Sequence, residues 1–296
     1  MSTGVDMQYA YRGGKPSRGV TLLFVHGSAR SSHCWEENWM DYFAANGYEC
    51  FAPCLRGSSG SPPPSGENEN GKIQVGDHIR DLRAFIDEVV VARGRKSNAN
   101  RRLVLVGHSM GGLVSMKLCE TEAQRFSGVA LMCSVPPAGN SQMTIRFIFQ
   151  RGLIVFVNIF RGFILQEVRR NPRLNQILYL PHRTNRPEQD PYLVRFTEQV
   201  DRDYRYVLDV SDLNQRCLPI RAVNPKSGQA QWLHPGMSTL VVGAEKDYIV
   251  DQTAVEETAT FLGTSPVTAP GQTHDLMLRD DWEVGATILL NWLSTI

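Results

Sequence analysis

The sequence lacks the features that mark several large classes of protein. Its 31 Lys and Arg residues nearly balance its 30 Asp and Glu residues, so a net charge of +1 gives no reason to expect a nucleic acid or a strongly acidic partner. The apolar stretch 147–160 is too short for a transmembrane helix, which needs about 20 residues. The six cysteines contain no Cys-x-x-Cys pair and no zinc-like spacing. We therefore expect no metal and no cofactor.

The first 19 residues are polar and glycine-rich and lack the apolar core of a secretory signal. The cysteines are interpreted as free or buried thiols of a reducing compartment. Together these two observations predict a cytoplasmic protein.

One stretch carries the clearest chemical signal. The apolar residues 103–106 run directly into Gly107-His108-Ser109-Met110-Gly111, and a helix-compatible segment, 113–120, follows. Such a pattern predicts a strand, a very tight turn and a helix, with Ser109 raised at the tip of the turn. A serine between two glycines also occurs in ordinary turns, but the strand before it and the helix after it favour a nucleophile.

Apolar strand patterns and helical patterns alternate around this stretch. Strands are predicted at 20–26, 48–53 and 128–133, and the same rhythm resumes at 238–242. Continuous apolar strands separated by amphipathic helices are typical of a parallel sheet that is covered on both faces. The predicted fold class is therefore α/β.

The alternation is absent between residues 138 and 236. An insertion of this length between two halves of one sheet predicts a helical cap over the carboxyl edge of the strands. The domain prediction is a core of 1–137 and 237–296 with a cap of 138–236. The apolar part of the cap, 147–160, is interpreted as packing the cap onto the core, with an acyl or aromatic pocket and a peripheral membrane contact as alternatives. The recurrent cap arginines are interpreted as solvated, with a role in binding an anionic head group as the alternative.

A serine nucleophile needs a base, and the base needs an acid to orient it. His274 lies in a turn-rich loop between a short strand and the final helix, where it could reach the edge of the sheet. Asp247 follows the strand 240–242, and the order Ser, Asp, His is the one expected for this architecture. Glu245 and Asp251 are alternative acids, while Asp275 directly follows the histidine and is poorly placed to reach its ring.

Two backbone N–H groups are candidates for stabilising an oxyanion. One belongs to Met110, at the start of the helix after the nucleophile, where free N–H groups and the positive end of the helix dipole point outward. The other belongs to Ser28, in the turn that begins at Gly27 after an apolar strand.

These motifs together resemble the α/β-hydrolase family. The resemblance rests on His26-Gly27, on Gly-His-Ser-Met-Gly-Gly at 107–112, on Gly-x-x-x-Asp at 243–247, and on His274. It implies a core of the eight-stranded type with a cap, a triad of Ser109, Asp247 and His274, and an oxyanion hole formed by Ser28 and Met110. One stretch departs from the family pattern Asp-x-Arg-Gly-x-Gly-x-Ser, because Cys54 replaces the Asp and Ser59 replaces the second Gly.

The expected activity is hydrolysis of a carboxylic ester through an acyl-enzyme on Ser109, with His274 as general base and acid. The expected partner is a small to medium apolar or lipid-like ester. Dehalogenases and epoxide hydrolases of the family carry Asp at the nucleophile position, so Ser109 argues against both. Thioester or carbon–carbon cleavage, and a ligand receptor with slow or no turnover, are the alternatives; the oligomeric state is not predicted.

Overall fold

The fold was analysed in a computed structural model. It describes residues 1–13, 18–58, 60–61, 73–96, 102–147, 149, 152–165, 167–181, 183–191, 193–194 and 224–296. Within these ranges the strands are β1 Tyr9–Arg12, β2 Val20–Val25, β3 Glu49–Pro53, β4 Arg102–His108, β5 Phe126–Met132, β6 Ser238–Ala244 and β7 Pro266–Ala269. The α-helices are α1 His33–Glu36, α2 Trp39–Ala45, α3 Val75–Phe85, α4 Ala92–Lys96, α5 Met110–Glu122, α6 Asn140–Arg146, α7 Leu153–Ile159, α8 Pro172–Tyr179, α9 Gln252–Phe261 and α10 Glu283–Leu293.

The seven strands form one sheet in the order β1-β3-β2-β4-β5-β6-β7. Only β1 runs antiparallel to its neighbour, and the other pairs are parallel. All six residues of β2 are buried, as expected for a strand covered on both faces. The predicted α/β class is confirmed, and the described residues form one strand fewer than the eight-stranded type implied by the resemblance.

The strand order places the predicted chemistry at one edge. β4 lies at the centre, between β2 and β5, and β6 lies beside β5. Because these strands are parallel, their carboxyl ends meet at the same edge of the sheet, where ligands bind in open α/β folds. Ser28, Ser109 and Asp247 all follow a carboxyl end of this set.

Helices α6, α7 and α8 occupy the described part of the connection between β5 and β6, as predicted for a cap. Arg146 on α6 forms two hydrogen bonds of 2.7 and 2.8 Å with Asp251, which caps the N-terminus of α9. Residues 195–223 lie outside the described residues, so the boundaries 138 and 236 stay a prediction. Among the described helices, none is both long enough and apolar enough to cross a membrane.

The interpretation of 147–160 as packing onto the core holds only in part. Phe147 is buried, but α7 contains no buried residue. Leu153 and Ile154 are 71% and 77% exposed. Ile159, at the end of α7, is partly buried and packs against the core. The packing interpretation therefore accounts for one side of α7 and not for the other, because apolar sequence alone does not reveal which environment each apolar side chain faces. Five of the cysteines, all buried, are free thiols, and Cys217 lies outside the described residues.

Candidate active site

The turn between β4 and α5 holds Ser109 in a conformation that side chains rarely adopt. Its backbone has φ 53° and ψ −121°, a strained combination that the surrounding chain must impose. A Cβ on Gly107 would lie 2.7 Å from the Cα of Gly112, and one on Gly111 would lie 2.2 Å from the carbonyl oxygen of Val25. The two glycines are thus required by contact with neighbouring backbone, as the sequence motif predicts.

Asp247 and His274 are brought together in the loops after β6 and β7. The Nδ1–H of His274 donates to the Asp247 carboxylate, with distances of 2.9 Å to Oδ2 and 3.1 Å to Oδ1. The backbone N–H groups of Ile249 and Val250 donate to Oδ1 at 2.7 and 2.9 Å. Burial acts to raise the pKa of Asp247, but the imidazole and these donors outweigh it and leave the pKa lowered. The carboxylate therefore stays ionised and fixes the histidine tautomer.

The other ring nitrogen of His274 is available for chemistry. Its Nε2 is buried and has no hydrogen-bond partner within the described part of the chain. A neutral imidazole whose Nδ1 is protonated carries a lone pair on Nε2. That nitrogen can accept a proton.

His108 joins the histidine loop to the serine turn. Its Nε2 lies 3.0 Å from the carbonyl oxygen of His274, and the two ring centroids are 4.8 Å apart. Burial, followed by the neighbouring imidazole, lowers the pKa of His108 to about 3, so the ring is neutral and its Nε2–H is the donor. Ser109 is the next residue along the chain. His108 thus docks the loop of His274 against the serine turn.

The two oxyanion candidates occupy neighbouring turns. Met110 is the first residue of α5, so its N–H has no acceptor within the helix. Ser28 lies in the turn after β2, where a Cβ on Gly27 would lie 2.8 Å from the Cβ of Ser109. The turn after β2 therefore packs directly against the nucleophile candidate.

A buried ion pair that sequence reasoning missed lies beside His274. Asp275 accepts hydrogen bonds of 2.8 and 2.5 Å from Nε and Nη2 of Arg30, and the two side chains are 0% and 1% exposed. The Arg30 guanidinium carbon lies 3.7 Å from the ring centroid of Tyr179, at the end of α8. The carbonyl oxygen of Tyr179 accepts from the Thr273 hydroxyl at 3.1 Å. These contacts join the cap, the turn after β2 and the histidine loop. Asp275 pairs with Arg30, whereas Asp247 makes the hydrogen bond to the His274 ring.

Cys133 was also missed. It follows β5 with a positive φ of 45°, and its thiol donates a hydrogen bond to Asp247. Burial raises the pKa of Cys133, so the group remains a neutral thiol donor. No local signal marked this residue, because its contact with Asp247 exists only after β5 and β6 pair.

Two groups of side chains place possible metal-ligand atoms within 4.8 Å of one another. They are His108, His274 and Asp275, and Cys133, Asp247 and His274. Both groups depend on His274, whose Nδ1 is engaged by Asp247, and one depends on a protonated thiol. In the second group Asp247 is hydrogen-bonded to His274, and in the first group the Asp275 carboxylate is paired with Arg30.

The stretch in which Cys54 departs from the family pattern supports the turn after β2. Cys54 Sγ lies 3.4 Å from both the backbone N and the hydroxyl of Ser32. His26 accepts from the backbone N–H of Leu55 at 2.9 Å through Nε2, so its Nδ1–H donates to the Gly27 carbonyl at 2.8 Å. His26 thus joins these two loops.

A cavity of about 730 Å³ borders the loops that carry Asp247 and His274. Leu180 and Pro181 of the cap form one side, and Tyr248 and Thr273 form another. Its remaining lining is charged: Arg183, Lys246, Arg279, Asp280 and Asp281. Ser109 is not among the lining residues, so this cavity does not include the candidate nucleophile.

Comparison with known proteins defines the class. The sequence profile of the alpha/beta hydrolase family matches residues 22–286. The chain therefore belongs to the alpha/beta hydrolase family, and this membership supports hydrolase activity.

Individual relatives within this class differ in their reactions. A haloalkane dehalogenase from Mesorhizobium japonicum is 32% identical over 119 residues, 40% of this chain and 33% of that protein. The match thus spans about a third of the relative's length. An esterase from Thermogutta terrifontis superposes with a TM-score of 0.68 at 17% identity, covering 98% of this chain and 94% of the esterase. The enol-lactonase of Burkholderia xenovorans LB400 gives 0.64 at 15% identity, covering 98% and 97%. Identities this low establish a shared fold and no shared substrate.

Proposed function

We propose that this protein is a serine hydrolase that cleaves carboxylic esters through an acyl-enzyme on Ser109. The observation that carries the proposal is the state of His274: Asp247 holds its Nδ1, while its buried Nε2 has no partner among the described residues. That arrangement suits a base for the adjacent serine turn. The strained backbone of Ser109 supports a functional role for the turn.

The proposed reaction has two halves. In the first, Ser109 Oγ bonds to the acyl carbon and its proton passes to His274 Nε2, while the N–H groups of Ser28 and Met110 stabilise the oxyanion. The intermediate collapses, the carbon–oxygen bond to the leaving group breaks, and His274 returns the proton to the departing alkoxide. In the second half, water deprotonated by His274 attacks the acyl carbon and releases the acid and the free serine. Asp247 stays ionised and stabilises the imidazolium form.

The chemistry of serine favours acyl transfer over dehalogenation. Displacement of a halide by Ser109 would leave an alkyl ether, which has no carbonyl for water to attack. A carboxylate nucleophile would instead leave a hydrolysable ester. This chemistry supports an ester substrate, even though one relative is a dehalogenase. The proposed class is the small to medium apolar or lipid-like ester expected from the sequence.

The first test compares hydrolysis of p-nitrophenyl esters of increasing acyl length by the native protein, Ser109→Ala and Ser134→Ala. Ser134 is a matched control because its hydroxyl is buried near the same turn and donates to the Val135 carbonyl. Ser109→Ala should lower kcat by at least about a thousandfold. Ser134→Ala should change it by less than about tenfold.

Labelling with a fluorophosphonate separates the alternatives. A covalent adduct on Ser109 without ester turnover would point to thioester or carbon–carbon cleavage by the same nucleophile. Neither labelling nor turnover would favour a ligand receptor. Full activity in Ser109→Ala would refute the proposed mechanism.

A further inference from the structure

Large apolar side chains are concentrated on one exposed surface of the cap. Among the described residues, eight large apolar side chains are exposed, and all except Tyr9 lie between residues 145 and 165. These seven residues form the apolar patch: Ile145 (55%), Phe149 (82%), Leu153 (71%), Ile154 (77%), Val157 (40%), Phe160 (41%) and Leu165 (50%). A contiguous stretch of this kind marks an interaction surface, unlike single exposed apolar residues.

Helix α7 presents three of its apolar side chains outward and its one polar side chain inward, while Ile159 at its end packs against the core. Its sequence is LIVFVNI, and the only polar side chain, Asn158, donates a hydrogen bond of 3.1 Å to the Tyr248 hydroxyl. Leu153, Ile154 and Val157 are exposed. A helix that packed on a core in water would have the opposite orientation. The arrangement is the one expected of a helix that faces an apolar environment.

The surrounding sequence is strongly basic, in contrast to the whole chain. Residues 138–186 contain eight arginines, no lysine and one acidic residue, whereas the complete protein has a net charge of +1. Arg146 is paired with Asp251 and Arg161 with Glu167. Arg173 lies 3.7 Å from Glu188 and Arg183 lies 3.4 Å from Asp190, just beyond the segment, and Arg170 and Arg173 are exposed. With these two acids included, residues 138–190 still carry eight arginines and three acidic residues. Because the arginines outnumber the acidic side chains of the segment, a net positive charge remains around the apolar patch.

We propose that the apolar patch docks the protein on an anionic phospholipid surface, with α7 lying in the plane of the interface. Apolar side chains that enter the acyl boundary together with arginines that meet anionic head groups are the two contributions to such binding. A second copy of the chain fits less well, because two basic segments would face one another across the contact.

The docking surface is connected to the candidate active site. Tyr248, which holds Asn158 of α7, directly follows Asp247. Docking would therefore place the cap and the acid loop beside the lipid from which an apolar ester could enter. The entry of an ester substrate from the lipid rests on the proposed ester hydrolysis. Docking on the lipid is measured without turnover, so it can be refuted while the proposed hydrolysis stands, and the reverse.

The test measures binding to sedimented vesicles of phosphatidylcholine alone and of phosphatidylcholine with phosphatidylserine. The native protein should bind the anionic vesicles at least tenfold more tightly than the neutral ones. A Leu153→Ser, Ile154→Ser double variant should bind at least about tenfold more weakly, because two exposed aliphatic side chains no longer enter the lipid. Its thermal midpoint should be unchanged, since both side chains are already in water.

Further variants test the contribution of the arginines to vesicle binding and the depth to which the apolar patch enters the lipid. Arg173→Gln should weaken binding to anionic vesicles several-fold, whereas Arg80→Gln, an exposed arginine on α3 and the matched control, should not. A tryptophan introduced by Phe149→Trp should be quenched by brominated acyl chains. Absence of vesicle binding, or equal binding by the native protein and the Leu153, Ile154 double variant, would overturn the proposal. The proposal would also be overturned if the native protein were a dimer and the Leu153, Ile154 double variant a monomer.

Discussion

Replacing Asp275 by asparagine should destabilise the folded protein by about 3–5 kcal/mol, because it leaves the charge of Arg30 buried without its counterion. Both side chains are at most 1% exposed, so water cannot replace the lost carboxylate. Arg30 retains a hydrogen bond of 2.9 Å to the Ala29 carbonyl and its contact with the Tyr179 ring. These remaining contacts place the expected cost toward the lower end of the range.

The assay is urea unfolding followed by circular dichroism, with Asp281→Asn as the matched control. Asp281 lies 2.7 Å from Arg279 in the same loop region as Asp275, but the side chains of Asp281 and Arg279 are 48% and 27% exposed. The same substitution there should cost less than about 1 kcal/mol. An Arg30→Met, Asp275→Leu double variant should recover most of the loss, since no charge is left buried. Equal costs for the two Asp→Asn variants would refute the reasoning.

Two further predictions concern pH and the acid of the site. Burial lowers the pKa of His26 to about 4 and that of His108 to about 3. Below about pH 6.5 the unfolded chain therefore binds protons at these histidines that the folded chain does not. The free energy of unfolding should fall by about 1.4 kcal/mol per pH unit for each histidine as the pH drops from 6.5 toward 4. The lowered pKa of Asp247 adds a further loss of stability only below about pH 4. A midpoint of urea unfolding that stays constant between pH 7 and 5 would contradict the assignment of His26 and His108 as neutral buried rings. Cys133→Ala should lower kcat several-fold with little change in KM, because Asp247 loses a donor, and Cys133→Ser should restore activity by supplying a hydroxyl. The control is Cys119→Ala, which removes another buried thiol and should leave kcat within about twofold of the native value. An equal effect of Cys133→Ala and Cys119→Ala on kcat would argue against the contact of Cys133 with Asp247.

The sequence was sufficient for those parts of the fold in which local pattern and tertiary position agree. The run into Ser109 predicted β4, the turn and α5, because only glycine fits beside the backbone at Gly107 and Gly111. The hydrogen bond between Asp247 and His274 could also be anticipated, since each follows a strand at the same edge of the sheet. The roles of Ser109, Asp247 and His274 in catalysis stay predictions until the variants are measured.

The remaining parts of the site depend on contacts between distant segments. Arg30 and Asp275 are separated by 245 positions, and neither lies in a pattern that distinguishes it from a surface charge. Cys133 touches Asp247 only because β5 and β6 pair in parallel. Such contacts are properties of the assembled sheet, so they are visible only once its strand order is known.

The packing interpretation of α7 was incomplete for a related reason. An apolar helix lowers its free energy equally well against a protein core or against lipid, so its composition does not select between the two. The two environments are distinguished by where the polar and apolar side chains lie. The one polar side chain, Asn158, contacts Tyr248, whereas Leu153, Ile154 and Val157 are exposed. Asn158 and Ile159 hold the inner side of the helix to the protein, so the outward apolar side chains have no role in packing the cap onto the core. The excess of arginine around it makes an anionic lipid surface the partner that satisfies both observations.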